Sequence, residues 1–338
     1  MQNPRLDFVT CASPAGMHRM AYWEWGDPDN DKVLLCVHGL TRTGRDFDTL
    51  ARRLASEYRV VCPDVVGRGA SDWLLHPSFY AVPQYVADMV TLLARVRPRT
   101  LHWVGTSMGG LIGMALAGSA ALSARLRAAN QARSPDLGLG QTQGLDRAQA
   151  RNGDGALSRQ QGGGLPEDSG WRVEKMVLND VGPRLAPDAL ARIGQYVGQG
   201  QEFDSFEDAV AYIRQVSAAF GPHTDEQWRD LARHVFQRRG DRWVKHYDLG
   251  LAQPFAAQDD AAMAAGEQLL WQAYEAIDCP ILILRGQHSD LLTADTAGEM
   301  ARRNPRARVL EVPGVGHAPT LMDDGQIQPV AAFLRSGG

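Results

Sequence analysis

Ser107 stands in the run Gly105-Thr106-Ser107-Met108-Gly109, which fits G-x-S-x-G. A serine hydroxyl is a poor nucleophile at neutral pH unless a base lies beside it. The run before it, "LHWVG", is apolar and strand-like, and "MGGLIGMALAG" after it reads as a closely packed helix. A serine between the two sits on a sharp, strained turn that lifts its hydroxyl clear of a sheet and over a helix N-terminus. Bulky residues two before and two after it would clash with strand and helix, which accounts for the flanking glycines. The five-residue pattern is weak by itself, and its place between strand and helix gives it weight.

The base that suits this serine is His317, in "EVPGVGHAPTLMDD", in a Gly-Pro loop after the last strand-like run. An imidazole acting as a base needs a carboxylate to fix its tautomer and stabilise its cation. Asp290, in "LILRGQHSDLLT", follows the penultimate strand and precedes the histidine by 27 residues, so it is taken as the acid. Asp180, at the end of "MVLND", is the rival, with hydrogen bonding to loop backbone as its alternative role. A developing oxyanion needs preorganised donors. The backbone N–H groups of Met108 and Leu40 are expected to supply them, with His38 propping the Leu40 loop. Asp64, in "PDVVGRGASD", reads as the turn after a strand. Phosphate cradling by that glycine-rich loop is excluded by the missing Lys-Ser/Thr pair.

These residues require a sheet edge to bring them together. "VLLCVHG" reads as a buried strand, and "RVVCPD", "LHWVG", "EKMVLND", "CPILILRG" and "ARVLEV" read as further strands. Helix-like segments separate them, which predicts a mostly parallel sheet covered on both faces. Two stretches break the rhythm. Residues 121–170 are rich in Ala, Gly, Gln and Arg and carry no aromatic, so most of them read as a disordered insertion, with the first residues able to prolong the preceding helix. Residues 183–275 read as a helical lid, placed between a core of 1–120 with 171–182 and a second core part at 276–338. In the lid, "TDEQWRDLARHVFQ" places Trp228, Leu231, Ala232, Val235 and Phe236 on one helical face, with Thr224 and Gln227 at capping-box spacing. Phe203, Trp228, Trp243 and Phe255 are candidate pocket walls.

The net charge of −4 gives no sign of a nucleic-acid partner. Lysine occurs only at positions 32, 175 and 245. Cys11, Cys36, Cys62 and Cys279 fit no zinc spacing, and His18, His223, His234 and His246 form no helical ligand pair, so no metal site is expected. No cofactor is called for. The N-terminal residues lack the basic and apolar regions of a signal peptide, and no apolar run looks long enough to span a membrane, so a cytoplasmic location is expected.

Together, "HGLTRTGRDFD", "PDVVGRGASD", "GTSMGG", "RGQHSD" and "GVGHAP" resemble the α/β-hydrolase superfamily from about residue 20 to the C-terminus, outside the insertion. The resemblance implies that fold, and an order of Ser107 nucleophile, Asp290 acid and His317 base. A serine at the elbow disfavours the relatives with an aspartate nucleophile. The single glycine of "HGL" implies a small-molecule ester substrate with a small or medium acyl chain. Similarity to bacterial intracellular esterases brings hydroxyalkanoate oligomers into view. Hydrolysis of C–C bonds in ring-cleavage products, cofactor-free perhydrolysis and non-catalytic ligand binding are the alternatives.

Overall fold

The computed structural model describes residues 3–133, 171–257 and 259–336. In chain order its strands are β1 (Arg5–Ser13), β2 (Gly16–Trp25), β3 (Lys32–Val37), β4 (Arg59–Pro63), β5 (Thr100–Thr106), β6 (Val173–Asn179), β7 (Glu202–Phe203), β8 (Phe236–Arg239), β9 (Arg242–Lys245), β10 (Ile281–Gly286) and β11 (Ala307–Val312). Its α-helices are α1 (Asp48–Leu54), α2 (Val82–Val96), α3 (Met108–Arg133), α4 (Pro187–Gly194), α5 (Phe206–Val216), α6 (Asp225–Arg233), α7 (Ala252–Ala256), α8 (Asp260–Ala276), α9 (Ala294–Arg303) and α10 (Asp324–Arg335).

The main sheet runs β1-β2-β4-β3-β5-β6-β10-β11. The last six strands in this order are parallel, and β1 and β2 add an antiparallel edge. The central parallel strands are mainly apolar because both faces are covered, whereas β11, at the edge, leaves Arg308, Val309 and Glu311 exposed. In β3, Val33, Leu35 and Val37 enter the core shared with α2, α3, α8 and α9, while Leu34 and Cys36 enter the one shared with α1 and α10. Trp103 and Val104 of β5 divide the same way, as the two-residue period of a strand requires.

The hairpin β1–β2 is the part of the sheet that apolar runs do not reveal. It is half solvated, and polar residues such as Arg19 and Glu24 interrupt it. Its register pairs Arg5 with Glu24, whose side chains form an ion pair at 2.5 Å.

The lid differs from an all-helical block. It holds a small antiparallel sheet, β7-β9-β8, whose hairpin turns at Gly240. Helix α6 has both capping-box bonds between Thr224 and Gln227 but ends at Arg233, so Phe236 joins a strand instead of a helical stripe. Helix α8 belongs to the main core, where Trp271 and Tyr274 are buried, which moves the lid's end ahead of it. Helix α3 continues to Arg133, so residues 121–133 of the expected insertion are helical; residues 134–170 lie outside the described residues. Met108–Asn130 is also long and apolar enough, by length and composition, to cross a membrane, contrary to the sequence expectation. Its N-terminal half, with Ile112, Met114 and Leu116, is buried in the main core.

Candidate functional site

Ser107 occupies the junction of β5 and α3 with φ at +52°, a left-handed conformation that non-glycine residues seldom adopt. The flanking glycines have a steric cause. A Cβ on Gly105 would lie 2.4 Å from the carbonyl oxygen of Gly109, and one on Gly109 would lie 1.9 Å from that of Val37. The turn can exist only where strand and helix backbones approach this closely.

The serine hydroxyl lies 3.0 Å from His317 Nε2. The other ring nitrogen, Nδ1, lies 2.8 Å from a carboxylate oxygen of Asp180. With Nδ1–H donating to the carboxylate, Nε2 is free to accept the serine proton. Asp180 is fully buried, and Gly286 N–H (2.7 Å) and the Ser289 hydroxyl (2.6 Å) also donate to it. Three donors converge on this one carboxylate and fix its position against the imidazole.

This corrects the acid expected at Asp290. That carboxylate is on the exposed side of the same loop, held by the Arg192 guanidinium through two bonds of 2.7 and 2.9 Å. The sheet order explains the exchange. β6 lies between β5 and β10, so the residue just past its end faces both the elbow and the loop after β10. The "RGQHSD" loop therefore supports the acid, through Gly286 and Ser289, instead of supplying it. Asp180 also has φ at +56°, and aspartate is among the few non-glycine residues that adopt this conformation readily. Asn179, beside it, ties the segments together by donating to Thr106 Oγ1 (3.0 Å) and the Pro319 carbonyl (2.8 Å).

Leu40 follows β3 and lines the cavity over Ser107, and Met108 opens α3. Among the described residues neither backbone N–H donates a hydrogen bond, which leaves both available to an oxyanion. His38 holds the Leu40 loop. Its Nε2 accepts from Val65 N–H at 2.9 Å, so Nδ1 carries the hydrogen and donates to the Gly39 carbonyl at 2.7 Å. Burial brings its pKa down to about 3, so the ring is neutral. Asp64 is structural: it accepts from Gly44 N–H (2.7 Å), Ala70 N–H (2.9 Å) and Trp23 Nε1 (3.1 Å).

The lid closes over this edge. Gly316 N–H donates to the Ala219 carbonyl at 2.6 Å, His223 Nε2 meets Thr320 Oγ1 at 2.8 Å, and Arg42 donates to the Leu231 carbonyl at 3.0 Å. Beneath it lies a cavity of about 100 Å³ bordered by Ser107 and His317. Its aromatic walls are Tyr196, Tyr212, Phe220, Phe236 and Tyr247. Phe203, Trp228 and Trp243, expected as walls, pack into the lid's own core instead. The side chain of Phe255 falls outside the described residues.

Among the described residues one group combines ligand types suited to a metal. Cys11, His18 and Asp88 are buried under α2, with candidate ligand atoms within 4.8 Å of one another. Burial, with Asp88 adding to it, pushes the Cys11 thiol up to about 12, so in the absence of a metal it is held protonated. His18 Nε2 already meets Asp88 at 3.1 Å.

The chain belongs to the alpha/beta hydrolase family, whose model matches residues 34–333, and is an enzyme of that family. The 3-hydroxybutyrate-oligomer hydrolase of Cupriavidus necator is 48% identical over 336 residues, covering 98% of both chains. The 2-(acetamidomethylene)succinate hydrolase of Mesorhizobium japonicum is 24% identical, covering 84% of this chain and 81% of its own. Among solved structures, an alpha/beta hydrolase from Novosphingobium aromaticivorans superposes with a TM-score of 0.71 at 31% identity, covering 99% of each chain.

Proposed function

We propose that the protein is a serine hydrolase that cleaves carboxylic esters of short acyl chains, oligomers of 3-hydroxybutyrate among them, through an acyl-enzyme on Ser107. The observation that carries this is the hydrogen-bonded series Ser107 Oγ, His317, Asp180, at 3.0 and 2.8 Å. The choice of substrate rests on the likeness to the Cupriavidus enzyme.

In this reading His317 Nε2 takes the hydroxyl proton as Ser107 Oγ attacks the ester carbonyl. The N–H groups of Leu40 and Met108 receive the negative charge that develops on the carbonyl oxygen. Asp180 stabilises the imidazolium. The imidazolium then gives its proton to the departing alcohol oxygen, and the C–O bond breaks. A water molecule, deprotonated by the same nitrogen, attacks the acyl carbon and releases the acid with Ser107 restored.

The test is hydrolysis of the 3-hydroxybutyrate dimer and of p-nitrophenyl butyrate by the wild type and by Ser107→Ala. Turnover of both by the wild type and of neither by the variant supports the reading. Unchanged turnover in Ser107→Ala, or hydrolysis of neither ester by the wild type, overturns it.

A further inference from the structure

We propose that Lys245 is an anion-binding residue of the cavity, receiving the free carboxylate of an ester whose scissile carbonyl lies at Ser107. The inference rests on the ester-hydrolase reading above and extends it to substrate class.

Lys245 closes β9 and borders the same cavity as Ser107 and His317. It is only 7% exposed. An ammonium group has three donors. Among the described residues its Nζ has one acceptor, the Tyr196 carbonyl at 3.1 Å, and no carboxylate within ion-pair distance. The rings of Tyr212 and Tyr247 flank it at 5.3 and 5.7 Å. Their faces favour a cation but carry no compensating charge.

The other cations differ. Lys175, equally buried, donates to the Phe333 and Leu334 carbonyls at 3.0 and 3.1 Å and to Ser336, at the end of α10. Lys32 is only half-buried and lies over the Tyr58 ring. On the cavity wall, Arg42 is paired with Asp46 at 2.7 Å, and Arg192 with Asp290 at 2.7 Å. Lys245 is thus the cavity cation whose donors the described residues leave unspent.

Burying a cation without its counter-charge is costly, and here burial brings the pKa down to about 8. The group still carries its proton at neutral pH. A substrate that brings its own carboxylate supplies the missing charge and acceptors together, and a neutral ester supplies neither. Linear esters of hydroxy acids fit this chemistry, because each chain ends in one free carboxylate.

The experiment compares the 3-hydroxybutyrate dimer with its methyl ester, in which a methyl group caps that carboxylate, and follows cleavage of the internal ester alone. Wild type, Lys245→Met and Lys245→Arg are assayed on both, with KM and kcat separated. The expected result is that the wild type prefers the acid through a lower KM. In Lys245→Met the ratio of kcat/KM for acid over methyl ester falls at least tenfold, carried by KM for the acid. Lys245→Arg recovers part of it. Hydrolysis of both substrates by the wild type with equal KM overturns the inference alone, and needs no variant to fold. An unchanged ratio in Lys245→Met overturns it too, since a purely structural lysine would depress both substrates together. Hydrolysis of neither by the wild type overturns the ester-hydrolase reading itself.

Discussion

Replacing Asp180 by asparagine changes one oxygen to an amide nitrogen, and the surrounding donors decide the outcome. One carboxylate oxygen accepts from Gly286 N–H at 2.7 Å; the other accepts from Ser289 and from His317 Nδ1 at 2.6 and 2.8 Å. If the amide oxygen stays on Gly286, the amide nitrogen faces His317 and donates to Nδ1. The ring then carries its hydrogen on Nε2 and cannot accept from Ser107. If the amide is flipped, the tautomer survives, but an NH2 group is pressed against a buried N–H, at a cost of about 1–3 kcal/mol. The imidazolium has also lost its anionic neighbour. A triad aspartate exchanged for its amide lowers kcat by about 10⁴ elsewhere, or about 5.5 kcal/mol of barrier at about 1.4 kcal/mol per tenfold. The expected loss for Asp180→Asn is of that order, at KM changed little, in steady-state hydrolysis of p-nitrophenyl butyrate. Asp290→Asn, whose side chain is 44% exposed and bound to Arg192, should stay within a few-fold of wild type. Severe loss in Asp290→Asn with near-normal turnover in Asp180→Asn would give the acid's role to Asp290 instead.

Two further predictions concern stability. Gly109→Ala places a methyl 1.9 Å from the Val37 carbonyl oxygen and 3.0 Å from that of His38, both backbone. It should cost about 3 kcal/mol or more in thermal or urea unfolding, whereas Gly266→Ala, with nothing within 4 Å and helix on both sides, should gain about 0.5–1 kcal/mol. His102 is buried, with its pKa brought down to about 4 by burial first and then by Lys175 and Lys32. The unfolded chain binds a proton there below about pH 6.5 and the folded chain does not, so this histidine's contribution is full above pH 6.5 and is lost as pH falls toward 4. The stability advantage of wild type over His102→Gln should therefore shrink by about 2 kcal/mol between pH 7 and pH 5, and a gap independent of pH would contradict the assignment.

The elbow was legible in the sequence because its demands are local. Glycines two before and two after Ser107 are set by backbone contacts within one turn and one neighbouring strand. His317 was legible because one loop follows the last strand. The acid depends on which strand ends lie side by side, and chain order does not carry that. Asp180 and Asp290 both follow strands, and only the placement of β6 between β5 and β10 separates them. The hairpin β1–β2 and the small lid sheet escaped for a related reason. Their strands are short or half solvated, so partners fix them more than apolar runs do. Phe203 and Trp243 read as candidate walls, although such aromatics are more often core, and the packing of β7 on β9 places them in the lid core. Lys245 had no motif at all. Its interest lies in what does not surround it.

In the proposed mechanism His317 and Asp180 make Ser107 the covalent nucleophile. Treatment with a butyl fluorophosphonate, followed by intact-mass and peptide mapping, tests it most directly. One adduct per chain on the peptide holding Ser107, with labelling slowed by orders of magnitude in His317→Ala and Asp180→Asn, is the predicted result. An adduct on another residue, or labelling of Ser107 at the same rate in all three proteins, would contradict the account.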